Sequence, residues 1–222
     1  MPRVPLSSSS GDAGLPPPSF TRYSHLKKLT LYGVAAASSP RFRSGCWWEV
    51  LQHLTALESL YFFSCSSLLQ LPERLGDLRS LRTLWINGCP GLSSLPRSLG
   101  HLSSLQELQI NGCDALHQLP ECLGELCSLR SLKIMQLRGL TCLPQSMRRL
   151  ASLEELHIVS CPGLTSLPEW IQGLTAVQSL YIFDCPDLEK RCERGKGEDW
   201  HLISHIPSVD VKSEDDTACV VM

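Results

Sequence analysis

Leucine recurs every 24 residues through most of this chain. The column Leu54, Leu78, Leu102, Leu126, Leu150 and Leu174 advances by 24 without an insertion. A second column runs through Leu57, Leu81, Leu105, Leu129, Leu153 and Val177, and a third through Leu60, Leu84, Leu108, Leu132, Leu156 and Leu180. Two residues later come Phe62, Ile86, Ile110, Ile134, Ile158 and Ile182, followed by Cys65, Cys89, Cys113, Leu137, Cys161 and Cys185. An LP step returns at Pro72, Pro96, Pro120, Pro144 and Pro168. The unit reads LxxLxxLxIxxCxxLxxLPxxLGxL. One such unit cannot bury its own apolar face, so neighbours must stack into a continuous core. The 40 leucines among 222 residues, against 14 aromatics, belong to these columns and not to a mixed core.

A unit of this form and length is a leucine-rich repeat. Its LxIxx segment alternates, so Leu84 and Ile86 point inward and Trp85 points to solvent. Pro96 has no N–H to donate and holds the chain after Leu95 in an extended step. RSLGHLSSL then crosses the far side as a short helix or turn. The expected fold is α/β: a leucine-rich-repeat solenoid, a horseshoe segment with a concave parallel β-sheet and short convex helices or turns.

Five stretches are expected along the chain. Residues 1–21 are rich in Pro and Ser, a composition that predicts disorder. Residues 22–53 form an irregular first repeat, in which HLKKLTLYG keeps the strand register through Leu26, Leu29 and Leu31. Leu26 precedes Leu57 by 31 residues, not 24, and the excess falls in AAASSPRFRSGCWW, an insertion whose Trp47 and Trp48 are expected to cover the open end. Residues 54–188 hold the six regular repeats. Residues 189–211 are expected to form a polar cap, with Trp200, Leu202, Ile203 and Ile206 over the last repeat, and 212–222 a flexible tail.

Charge and composition exclude several classes. Twenty Lys and Arg against 22 Asp and Glu leave a net charge of −2, with no basic field for nucleic acid. There is no run of 18 apolar residues to span a bilayer, and MPRVPLSSSSGDAGLPPPSF lacks the apolar segment of a secretory signal. Eleven cysteines in a chain this long are not a small secreted disulfide framework. Both asparagines, Asn87 and Asn111, sit in NGC, which is not a glycosylation acceptor. A reducing, cytoplasmic setting is expected.

Cysteine offers three chemistries. Cys65, Cys89, Cys113, Cys161 and Cys185 occupy one repeat position and read as a buried structural ladder. Cys185, Cys192, His201 and His205 spell C-x6-C-x8-H-x3-H, whose spacings miss those of zinc fingers, so no metal is expected. The terminal Cys219-Val220-Val221-Met222 satisfies the C-a-a-X prenylation pattern, with Met favouring farnesyl. The acidic KSEDDTA upstream lacks the basic second signal that firm anchoring requires. Membrane attachment is therefore expected only if Cys219 is lipidated. No catalytic residues and no cofactor are expected: His157 has Glu154 and Glu155 nearby, but no nucleophile is positioned by the repeat register.

SLPEWIQGLTAVQSLYIFDCPDLEKRC followed by GEDWHLISHIPSVDV resembles the end of grass coiled-coil nucleotide-binding leucine-rich-repeat disease-resistance proteins. The LPEWI step, the C-P-x-L step and the GEDW…I-x-H-I-P closing segment carry the resemblance, which covers roughly residues 22–211. It implies a receptor that also has an N-terminal coiled coil and a nucleotide-binding switch domain, and neither is found in this sequence. There is no GxxxxGK[ST] phosphate loop, and Gly195-Lys196-Gly197 lacks the strand-turn-helix setting of one. A receptor C-terminus, or a relative made of repeats alone, is the expectation.

The outward strand positions are where such a horseshoe meets a partner. One column holds Thr30, Tyr61, Trp85, Gln109, Lys133, His157 and Tyr181, and its neighbour holds Tyr32, Phe63, Asn87, Asn111, Met135, Val159 and Phe183. Aromatic anchors dominate protein–protein hot spots. Tyr32, Tyr61, Phe63, Trp85, Gln109, Lys133, His157, Tyr181 and Phe183 are therefore the candidate partner-binding residues. The expected partner is a protein: a pathogen effector, a host protein or a receptor's nucleotide-binding domain. The alternative is an intracellular signalling scaffold or a ubiquitin-ligase adaptor.

Overall fold

The structure, a computed structural model, describes residues 25–33 and 53–212. The Pro/Ser-rich start, the insertion with Trp47 and Trp48, and the tail with Cys219 lie outside the described residues. Eight five-residue strands form one sheet in sequence order, every neighbouring pair parallel. They are β1 (Lys28–Tyr32), β2 (Ser59–Phe63), β3 (Thr83–Asn87), β4 (Glu107–Asn111), β5 (Ser131–Met135), β6 (Glu155–Val159), β7 (Ser179–Phe183) and β8 (Ser208–Lys212). Leu29, Leu60, Leu84, Leu108, Leu132, Leu156 and Leu180 are register partners across the sheet. The sequence columns are thus rows of the structure. From β2 to β7 the second and fourth residues of each strand are buried, and the others look onto the concave face.

One device ends seven of these strands. Gly33, Ser64, Gly88, Gly112, Gln136, Ser160 and Asp184 each follow a strand and have φ between 52° and 66°. This left-handed turn aims the N–H at the next repeat: Ser64 donates to the Asn87 carbonyl at 2.9 Å, and Ser160 to that of Phe183 at 2.8 Å. Glycine takes the conformation freely, whereas Ser64, Gln136, Ser160 and Asp184 hold it at a cost of about 1–2 kcal/mol each. The stacked ladder offsets that strain. At five of the seven a cysteine follows and turns inward, and its thiol donates to the carbonyl two residues back, as from Cys65 to Phe63 at 3.4 Å and Cys161 to Val159 at 3.3 Å.

The convex side is built of 3-10 turns at Glu73–Asp77, Arg97–His101, Glu121–Glu125, Gln145–Arg149 and Glu169–Gly173. Each follows an extended proline and closes with a leucine N–H bonded three residues back, as from Leu78 to the Leu75 carbonyl. A 3-10 turn rises about 2.0 Å per residue against 1.5 Å for an α-helix, so few residues bridge the width of the repeat. At three of the five turns the repeat glycine is a stacking requirement. A Cβ at Gly76 would lie 2.4 Å from the Ser98 carbonyl oxygen, at Gly100 2.8 Å from that of Cys122, and at Gly124 2.2 Å from that of Ser146. The fourth turn has Arg148 in this column, and the residue that would lie over it is Trp170, the bulkiest of its own column.

Carboxylates join neighbouring turns. Glu73 accepts the N–H groups of Ser98 (2.9 Å) and Arg97 (3.2 Å), and Glu121 accepts that of Ser146 (2.8 Å). These hydrogen bonds hold both carboxyls below the usual range, with Ser98 the main cause at Glu73 and Ser146 at Glu121.

The C-terminal end is closed by α1 (Pro186–Arg191), α2 (Trp200–Ile203) and β8. Leu202, Ile203 and Ile206 are buried in the core and Trp200 packs against it. β8 was not expected from the repeat pattern. Val209 pairs with Leu180 at a spacing of 29 instead of 24, so the periodicity conceals it. Asp199 locks the cap: Arg191 donates to it through Nε (3.0 Å) and Nη2 (2.7 Å), and the Leu167 N–H adds a third bond at 2.9 Å. Burial acts to raise the Asp199 carboxyl, but these donors hold it below its ordinary value. Gly197 allows the approach, because a Cβ there would meet the Arg191 carbonyl oxygen at 2.1 Å. Among the described residues no helix is long and apolar enough to cross a membrane.

Candidate protein-binding face

Parallel pairing in constant register puts all nine candidate residues on the sheet face away from the core. Two aromatic clusters stand on it. In the first, Tyr32 stacks on Phe63 at 5.5 Å between ring centres, Phe63 lies 6.4 Å from Tyr61, and Trp85 meets Tyr61 edge-on at 5.0 Å. Lys28 Nζ sits 4.7 Å above the Tyr61 ring, a cation–π contact. In the second, His157 lies 5.6 Å from Tyr181 and Tyr181 6.3 Å from Phe183. The aromatics are more covered than simple outward alternation implies: they shield one another and are half-buried, apart from Tyr32 at 73% exposure.

The ground between the clusters is mostly polar, with Met135 and Val159 its apolar members. Gln109 Nε2 donates to Asn87 Oδ1 at 2.8 Å, and Lys133 Nζ lies 3.4 Å from Glu107. Two atoms there are shielded from solvent and have no partner, Trp85 Nε1 and Asn111 Oδ1. Burial and the Lys133 charge lower the His157 pKa and favour its uncharged imidazole. Sequence reasoning left the first outward column out of the partner-binding set: it missed Lys28, Glu107 and Ser131, and noted Glu155 only as a neighbour of His157. The alternation contained that signal, since a five-residue strand with two inward residues has three outward ones. It also missed Asp210 and Lys212, which β8 adds to the same face as an ion pair at 2.9 Å.

The other chemistries find these settings. The ladder thiols are buried, with burial and the neighbouring Cys113 thiol pushing Cys89 up to about 11. Burial pushes Cys192 up to about 12, so neither is a thiolate nucleophile at neutral pH. Cys185 is engaged with the Phe183 carbonyl, and His201 Nδ1 lies 2.7 Å from the Glu198 carbonyl. Among the described residues no three His, Cys, Asp or Glu side chains gather into a metal site.

The family model for RPS2-like plant disease resistance proteins, leucine-rich repeats, matches residues 70–190. The chain belongs to this family. Among solved structures, this resistance-protein repeat region is similar to the leucine-rich repeat domain of the type III effector XopL. The identity is 23% and the TM-score 0.62, over 91% of this chain and 73% of that one. It is also similar to a leucine-rich-repeat protein of Leptospira interrogans, with 20% identity and a TM-score of 0.54 over 88% of this chain and 51% of that one. At these identities the likeness concerns the fold. No match was found among curated protein sequences.

Proposed function

We propose that this chain is a non-enzymatic recognition module of plant innate immunity. Its concave face contacts a pathogen effector, a host protein watched by the receptor, or the switch domain of a coiled-coil nucleotide-binding receptor. The family match supports the immune setting, and the GEDW closing segment, locked by Arg191 and Asp199, supports the receptor type. The observation that carries the recognition role is the pair of aromatic clusters on a mostly polar sheet face. Binding shifts a receptor between restrained and signalling states through its differential affinity for the two.

The test is capture of partners from plant extract by the full chain and by a Tyr61→Ala/Trp85→Ala variant of unchanged circular dichroism. The variant is expected to lose the captured protein, while a convex control, Arg97→Ala, keeps it. Equal capture by all three proteins would sink the reading.

A further inference from the structure

The charges of the concave face balance in number, Lys28, Lys133 and Lys212 against Glu107, Glu155 and Asp210. Lys133 pairs with Glu107, Lys212 with Asp210, and Lys28 rests on the Tyr61 ring. Glu155 accepts from the Ser131 hydroxyl at 3.1 Å, and burial beside Lys133 disfavours a charge on His157. A charged partner would have to break these contacts or be desolvated without compensation. An uncharged one fits the face as it stands.

Hydrogen bonding narrows the partner further. Trp85 Nε1 is a donor and Asn111 Oδ1 an acceptor, and neither has a partner. They flank the Gln109–Asn87 hydrogen bond: Gln109 lies opposite Trp85 in register, and Asn87 opposite Asn111. Orphaned polar atoms of this kind cost about 1–3 kcal/mol each. An extended peptide offers one acceptor and one donor at every residue, and an Asn or Gln side chain offers the same pair. A helix has spent its backbone groups internally and could offer the pair only through one such side chain, whereas an extended chain offers it at every residue. Gln109 and Asn87, the register partners of Trp85 and Asn111, can rotate at the loss of one hydrogen bond.

Dimensions agree with an extended occupant. Trp85 on β3 and Tyr181 on β7 are four strand steps apart, about 19 Å at the usual spacing. Extended chain covers that distance in about six residues.

We propose that the concave face binds an uncharged, extended peptide segment lying across the strands. Apolar side chains about six residues apart rest on the two aromatic clusters, and an amide between them accepts from Trp85 Nε1 and donates to Asn111 Oδ1. This rests on the concave face being the recognition surface.

The probe is a phage library of random twelve-residue peptides panned on the full chain, followed by titration calorimetry with the enriched sequences. Expected are uncharged sequences with apolar residues about six apart and Asn or Gln between. Trp85→Phe, which keeps a ring and removes the donor, and Asn111→Leu should each weaken binding about tenfold while the melting temperature holds or rises, since each removes an orphaned polar atom. Three outcomes overturn the proposal: enrichment of charged peptides or of peptides that become helical on binding, no enrichment, or affinity indifferent to both variants. If Tyr61→Ala abolishes binding while Trp85→Phe and Asn111→Leu do not, the amide reading fails and concave recognition survives. If captured plant protein also ignores Tyr61→Ala/Trp85→Ala, the wider reading fails with it.

Discussion

Single atoms decide whether neighbouring repeats close. At Gly124 a methyl group would sit 2.2 Å from a backbone oxygen, which cannot yield as a flexible side chain does. Gly124→Ala is therefore expected to destabilise by about 3 kcal/mol, the upper range for overpacking. Gly173→Ala is the control, since nothing lies within 4 Å of its Cβ position. It should leave stability unchanged or raise it by about 0.5 kcal/mol through lost unfolded-state entropy. Urea unfolding of both variants checks the pair, and equal effects would refute the stacking role. Asp199 is the second decisive residue. It is 4% exposed and meets three donors, so Asp199→Ala strands a buried N–H and half of an ion pair, at about 2–4 kcal/mol. Its folded carboxyl is depressed, as are those of Glu73 and Glu121. Such groups contribute stability that is fully present above their unfolded pKa near 4 and lost as pH falls through the folded value. The melting temperature should hold above about pH 5 and decline below about pH 4. Asp199→Asn should melt lower at neutral pH and decline less steeply in acid. An acid slope identical to that of the parent would remove Asp199 from the account.

At the scale of elements, stability is shared between nearest neighbours, because each strand bonds only to the strands beside it. β8 pairs with β7 alone, and its Val209 and Val211 pack against the core. Val209→Asp/Val211→Asp should release β8 and speed hydrogen exchange in β7, Ser179–Phe183, while β2 to β4 keep their protection. Hydrogen-exchange mass spectrometry resolves these segments, and uniform acceleration along the chain would contradict the nearest-neighbour picture. The regular strands were legible in the sequence because the two-residue alternation of LxI and the constant period write register directly. Leu84 lies beside Leu60 for that reason, and Trp85 faces outward for the same one. β8 was not legible: the Val209 of SVDVK arrives 29 residues after its partner Leu180, and the strand carries neither the leucine nor the cysteine of the unit. The Gln109–Asn87 bond was hidden too, since it joins adjacent strands diagonally through side-chain torsions that no spacing encodes. The glycine of LPxxLG was visible, but its reason was not, because the oxygen it avoids belongs to the next repeat.

The molecule as a whole is a line of interchangeable units, and deletion in the repeat register tests that description. Removing Leu102–Glu125 joins His101 to Leu126, the residue that occupies the place of Leu102 one unit later. Every column then stays in phase, with β3 next to β5. The shortened chain is expected to fold with the same circular dichroism signature. Its urea dependence should be shallower, because less surface is exposed on unfolding. Removing twelve residues, Leu102–Cys113, places half a unit out of phase and buries polar positions where leucines belong, so this chain should not unfold cooperatively. Recognition responds differently from folding. The 24-residue deletion takes away Gln109 and Asn111 and brings the aromatic clusters one strand closer, about 4.8 Å. A partner matched to the original spacing should lose affinity although every remaining repeat is intact. Cooperative unfolding of the twelve-residue deletion would refute the unit description. Full binding by the 24-residue deletion would show that one cluster suffices, and that the distance between the two carries no specificity.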